Sequence, residues 1–130
     1  MTEAWRWVTR HALCLLHDES LVEHGGSSGI RDKGLLESAL DRPKNRAAYG
    51  DPDLAELCAC YAFGLAKNHP FVDGNKRAAF EAVGLFLGLN GFRLVTSQIE
   101  AIGAVLELAS GQIDEPAFAE WVRARLVPRS

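Results

Sequence analysis

Apolar residues recur along this chain at helical spacing, and no segment of useful length alternates with the period of a strand. Leu54, Leu57, Cys58, Tyr61 and Leu65 fall at i, i+3, i+4, i+7 and i+11, which predicts an amphipathic helix from Asp53 to about Asn68. Ala78 to Leu89 is apolar on more than one face through Phe80, Val83, Leu85, Phe86, Leu87 and Leu89, the pattern of a central helix packed on several sides and ended by Asn90-Gly91. Gly84 and Gly88 lower its helix propensity by about 1 kcal/mol each, and a neighbouring helix approaching closely at that small-residue strip would offset this.

Caps and breakers place the other elements. Trp5 to Val8 reads as extended, and Thr9 caps a first helix carrying Leu13, Leu16 and Val22 that closes at His24-Gly25-Gly26. The run Gly25 to Gly29 is a loop, and Asp32 caps a second helix through Leu35, Leu36, Ala39 and Leu40. That helix is expected to break at Pro43, with a further turn toward Tyr49. Thr96 or Ser97 starts a fifth helix that Ser110-Gly111 stops, and Asp114 caps a sixth with Pro116 in its first turn. The expectation is an all-α, compact helical bundle of about six helices, with residues 1–130 forming one domain.

Charge and cysteine usage narrow the function classes. Fourteen Lys and Arg against seventeen Asp and Glu give a formal charge of −3, which offers no field for holding nucleic acid. Cys14, Cys58 and Cys60 are odd in number and lack ligand spacing, as expected of reduced, buried thiols in a cytoplasmic protein. His17 and His24 lack a carboxylate or cysteine at zinc-ligand spacing and read as ordinary exposed histidines. Arg123, Arg125 and Arg129 read as a solvated helix end. The apolar stretch Ala12 to Leu16 is too short for a signal core, and Ala78 to Leu89 is too short to span a membrane.

Polar chemistry concentrates in His69-Pro70-Phe71-Val72-Asp73-Gly74-Asn75-Lys76-Arg77, directly before the most apolar helix. Gly74 lets the backbone approach a ligand, and the first amides of the following helix point into the turn. Lys76 and Arg77 sit at the positive end of the helix dipole, where a bound triphosphate would account for two cations. Asp73 beside phosphates suits Mg²⁺, which takes few protein oxygens. His69 is placed to accept a proton from an attacking hydroxyl, so phosphoryl or nucleotidyl transfer is the chemistry these residues suggest. Taken singly, Asp73 also reads as an N-cap, and Lys76 and Arg77 as solvated charges.

Residues 69–77 resemble the signature of the Fic/Doc superfamily, and the lysine in Gly74-Asn75-Lys76-Arg77 is similar to that of its death-on-curing (Doc) toxin branch. The similarity extends to the loop from Gly25-Gly26 to Asp32, to Leu36 through Leu40 and to Asn90-Gly91, covering most of residues 9–125. The resemblance implies a compact helical domain using Mg-ATP, with His69 as general base, Asp73 at the metal, and Gly74, Asn75, Lys76 and Arg77 around the phosphates. AMP-transferring relatives carry glycine at the position of Lys76 and a second arginine at that of Phe80. The lysine is associated with a reversed nucleotide, so that the terminal phosphate faces the acceptor hydroxyl. The resemblance thus implies a protein kinase toxin acting on elongation factor Tu, restrained by a separate Phd-type antitoxin. AMP transfer and a non-catalytic nucleotide- or partner-binding module stand as alternatives. Self-inhibited relatives carry a Ser/Thr-x-x-x-Glu-Gly/Asn motif, and Thr96 to Ala101 fails at its last position.

Overall fold

The computed structural model describes residues 4–129, and six helices and two short strands make up the regular structure among them. They are α1 (Arg10–His24), α2 (Lys33–Ala48), α3 (Leu54–Asn68), α4 (Asn75–Leu89), β1 (Phe92–Leu94), α5 (Gln98–Ser110), α6 (Glu115–Arg123) and β2 (Leu126–Pro128). The caps predicted at Thr9, Asp32, Ser97 and Asp114 are in place, and Asp53 supplies one more. Thr9, Asp32, Asp53, Ser97 and Asp114 accept from Ala12, Leu35, Glu56, Glu100 and Ala117 amides, and Asp53–Glu56 and Ser97–Glu100 close full capping boxes.

Pro43 does not break α2, which runs on to Ala48. The ring removes one amide donor, but Pro43 lies on the same buried stripe as Leu36, Ala39 and Leu40, and packing of that stripe holds the helix together. Gly64 of α3 makes the approach possible: a Cβ there would lie 3.2 Å from the Cα and Cβ of Ala39.

α4 packs on several sides, as expected, against α1, α3, α5 and β1, but α3 is the more deeply buried of the two. Eleven residues of α3 are buried, Leu57, Tyr61 and Leu65 among them, against seven on α4. Phe80, Leu85 and Leu89 of α4 are half-buried or exposed because that face looks onto an open groove bounded by α1 and β1. Gly84 and Gly88 lie on the same face, so the expected close helix approach does not occur. A Cβ on Gly84 would meet nothing within 4 Å, and one on Gly88 would meet only the Arg129 guanidinium at 3.5 Å.

The two-stranded sheet is the other departure from expectation. β1 pairs antiparallel with β2, with Phe92 opposite Pro128, Arg93 opposite Val127 and Leu94 opposite Leu126. Three residues per strand are too few for alternation to register in a sequence, and the pairing is fixed by where α6 delivers the chain. The arginines near it are engaged rather than merely solvated. Arg123 pairs with Asp53 at 2.8 Å, Arg125 lies 4.5 Å over the Trp121 ring, and Arg129 donates to the Gly88 carbonyl.

The core gathers on Phe86, against which Trp7, Tyr61 and Trp5 pack with ring centroids 5.8, 5.1 and 6.1 Å away. The buried Tyr61 hydroxyl accepts from the Val8 amide and ties the leading segment to α3. All three cysteines are free, and Cys58 and Cys60 are buried while Cys14 is partly exposed. Among the described residues no helix is long and apolar enough to cross a membrane.

Candidate active site at the α3–α4 turn

His69 ends α3 in the left-handed conformation, φ 49° and ψ 54°, and is the one non-glycine with positive φ among the described residues. Pro70 disfavours the right-handed helical region for the residue before it, and the left-handed region turns the chain away from α3 at once. Such a conformation is held only where its surroundings over-determine it. Here Arg31 does so, donating through Nε to the His69 carbonyl at 2.7 Å and through its terminal nitrogen to the Asn68 carbonyl at 2.9 Å. The glycine-rich loop then lies along the signature. The amides of Arg31 and Asp32 donate to the Pro70 carbonyl, the Val72 amide donates to Gly29, and Ile30 bridges Phe71 antiparallel.

Asn75 closes the turn from within. Its side-chain oxygen accepts from the Phe71 amide at 2.8 Å and its nitrogen donates to the Phe71 carbonyl at 3.1 Å. The side chain is therefore occupied in holding the bend, and what Asn75 offers a ligand is its backbone amide. Gly74 is the N-cap of α4 with φ 72°, and α4 alone among the six helices has no side-chain cap. Asp73, for which capping was one reading, instead accepts from the Gly74 amide at 2.8 Å and the Ser27 amide at 3.3 Å. The amides of Asn75, Lys76 and Arg77 are left without intrahelical acceptors, at the positive end of a fifteen-residue helix. That is an arrangement suited to an anion.

His69 and Lys76 line the same concavity of about 460 Å³, together with Ala66, Leu106, Glu107 and Gln112. Arg77 lines a different one, the groove of about 770 Å³ against α1, where it neighbours Phe80 and Glu81. Among the described residues neither Lys76 nor Arg77 has an ion-pair partner. No cluster of three or more His, Cys, Asp or Glu forms a metal cage among them. The exposed Asp73 carboxylate takes one amide bond per oxygen, which leaves lone pairs for a cation completed by phosphate and water, the habit of Mg²⁺.

His17, expected to be exposed, is 1% exposed and touches the signature directly. Its Nε2 donates to the Asp73 carbonyl at 2.9 Å, its Nδ1 lies 3.0 Å from the Glu81 carboxylate, and its ring packs 4.4 Å from that of Phe71. A Cβ on Gly74 would fall 2.9 Å from His17, so glycine is needed there for space as well as for its positive φ. The signal for His17 was present as a polar residue on the apolar stripe Leu13, His17, Ser20, Leu21, matched by Glu81 within an apolar helix.

Burial acts to lower the His17 pKa, but the hydrogen bonds to Glu81 and the Asp73 carbonyl, with the charges of Glu81 and Asp18, outweigh it and hold the pKa above the ordinary 6.5. A folded-state pKa above the unfolded value gives stability that is complete below about pH 6.5 and is lost as pH rises through the folded pKa. The Tm advantage of the wild type over His17→Gln is therefore expected to be largest in that acidic range and to shrink above it. A difference that stays constant with pH in thermal denaturation would show that the pair carries no linked proton.

Comparison with known proteins identifies the family of the chain. Residues 7–87 match the Fic/DOC family, a span that contains α1 to α3, the whole signature and most of α4. The chain is 34% identical over 119 residues to "Protein kinase doc" of Escherichia phage P1, covering 91% of this chain and 94% of the relative. It is 42% identical over 76 residues to "Toxin Doc" of Mycolicibacterium smegmatis, covering 56% of this chain and 58% of that protein. With a helical fold, an uncapped helix start behind the signature turn and these relatives, the chain belongs to the Fic/Doc superfamily, in its Doc branch.

Proposed function

We propose that the chain is the toxin of a type II toxin–antitoxin system, a cytoplasmic protein kinase that moves the terminal phosphate of Mg-ATP to a hydroxyl residue of a translation factor and so arrests translation. The names of the relatives support the reading, and one observation carries it: His69 and Lys76 face a single concavity beside the uncapped start of α4. His69 takes the proton of the acceptor hydroxyl as its oxygen bonds to the terminal phosphorus, while the bond from that phosphorus to the leaving ADP oxygen breaks. Mg²⁺, when bound at Asp73, neutralises charge on the phosphate oxygens. Lys76 and the backbone amides of Asn75, Lys76 and Arg77 hold the polyphosphate, with Gly74 keeping the turn open to it, and Arg77 reaches it from the side of the neighbouring groove. The chain's share of such a transfer is mostly positioning and charge stabilisation.

Elongation factor Tu is the substrate to try first. Incubation with Mg-ATP is expected to add the mass of one phosphate to it. Addition of AMP would assign the chain to nucleotidyl transfer instead, and an unmodified factor would leave a binding module. The antitoxin expected is of the Phd type, with a disordered segment that folds onto the toxin. Lys76→Gly is expected to lower phosphate transfer by more than the roughly 10- to 100-fold that the loss of one charge-assisted contact accounts for. The isosteric but neutral Lys76→Met should lose less, because glycine also removes the stem that sets nucleotide direction. Equal initial rates for wild type and Lys76→Gly would refute the directional role.

A further inference from the structure

The buried ion-pair partners nearest the site come from outside the signature. His17 and Glu81, 1% and 9% exposed, face each other between α1 and α4, among Leu13, Leu21, Ala78 and Ala82. Polar groups kept at such depth are costly unless each is hydrogen-bonded, and His17 meets that requirement with both ring nitrogens. The Asp73 oxygen it touches is a carbonyl, which only accepts, so Nε2 carries the hydrogen and donates. Glu81 grips the opposite nitrogen and sets the ring's orientation, as a carboxylate commonly does behind a histidine.

The contact fixes one peptide plane. The carbonyl of the Asp73–Gly74 peptide is tied inward to His17 at 2.9 Å, and its N–H is held by the Asp73 carboxylate at 2.8 Å. Phe71 packs on the imidazole, and the space beside Gly74 is filled by the ring's edge, where a Cβ would fall 2.9 Å from it. With the carbonyl facing the core, the carboxylate and the first amides of α4 are left on the exposed side of the turn.

We propose that His17 is a positioning residue for the transfer site: together with Glu81 it locks the Asp73–Gly74 peptide so that the carboxylate and the α4 amides are presented to the phosphates and their cation. The locking stands on geometry alone, and its consequence for ligand binding rests on the reading of the site given above.

Two substitutions separate this role from simple core filling. The amide of His17→Gln reaches the place of Nε2 and can donate to the Asp73 carbonyl, whereas that of His17→Asn reaches only the place of Nδ1 and meets Glu81. In the nucleotide-free protein, amide hydrogen exchange over residues 72–76 is expected to rise about tenfold in His17→Asn and to stay within about threefold of wild type in His17→Gln, the signature of one lost hydrogen bond. In parallel, calorimetric titration with ATP is expected to show the Mg²⁺-dependent gain in affinity lost in His17→Asn and kept in His17→Gln. Should His17→Asn not fold, His17→Phe fills the ring's space without an N–H and is expected to behave as the asparagine variant would. Equal exchange in the asparagine (or phenylalanine) and glutamine variants overturns the proposal. A wild-type protein that binds no ATP overturns the kinase reading instead, while the exchange comparison still decides the role of His17.

Discussion

Replacing His69 with alanine is expected to slow phosphate transfer by roughly 10²- to 10⁴-fold, the usual contribution of a positioned general base, with little change in thermal stability. The separation of the two effects follows from how the residue is held. Its ring is exposed, and the contact that fixes the left-handed turn runs from Arg31 to the His69 and Asn68 carbonyls, which the substitution retains. Alanine is a little less at ease than histidine at positive φ, a small penalty beside the loss of the imidazole. Initial rates on elongation factor Tu, read by mass, give the size of the effect, and kcat should fall more than KM rises because the ring meets the acceptor proton only during transfer. The same variant decides the cellular question. If growth arrest by expression of the chain survives His69→Ala, the protein acts by sequestering a partner and the catalytic reading is wrong.

What could be read from the sequence divides along the range of the interactions involved. Caps at Thr9, Asp32, Ser97 and Asp114 were legible because a cap is settled within four residues of itself. The signature was legible for the same reason: His69, Asp73 and the α4 start lie within nine consecutive residues. Pro43 misled because its local effect is overridden by packing of the stripe it shares with Ala39, which meets Gly64 twenty-five positions further on. Gly84 and Gly88 misled in the opposite sense, since a small-residue strip says that something can approach and not that anything does. Apolar content named α4 as a helix packed on several sides, which it is, although part of that content lines a groove and α3 is the more deeply buried. Arg31 was legible only as a member of the Doc-like loop, and both it and His17 were missed as site-building residues because their partners are about forty to sixty positions distant. The local chemistry was therefore visible while its supports were not, which is why the supports are where the structure adds most.

Asp73 is the residue at which support and chemistry have to be separated by experiment. It is the one carboxylate among residues 69–77, and its oxygens also order the glycine-rich loop through the Ser27 amide and the turn through the Gly74 amide. Asp73→Ala removes the charge and both contacts, so a loss of activity in that variant alone would be ambiguous. Asp73→Asn keeps an oxygen able to accept from one of the two amides and removes the charge. Both variants are expected to lose phosphate transfer by roughly 10²-fold or more, the scale of several kcal/mol of charge stabilisation at a phosphoryl group. They should differ in the loop: exchange of the Ser27 amide should rise in the alanine variant and remain closer to wild type in the asparagine one. Activity in Asp73→Asn should also need more Mg²⁺ to reach half its maximum, since a neutral amide oxygen is a poorer ligand for a hard cation than a carboxylate. If Asp73→Asn transfers phosphate within about threefold of wild type at the same Mg²⁺ requirement, the carboxylate's work is confined to the two amide contacts, and the cation must be held by the phosphates without it.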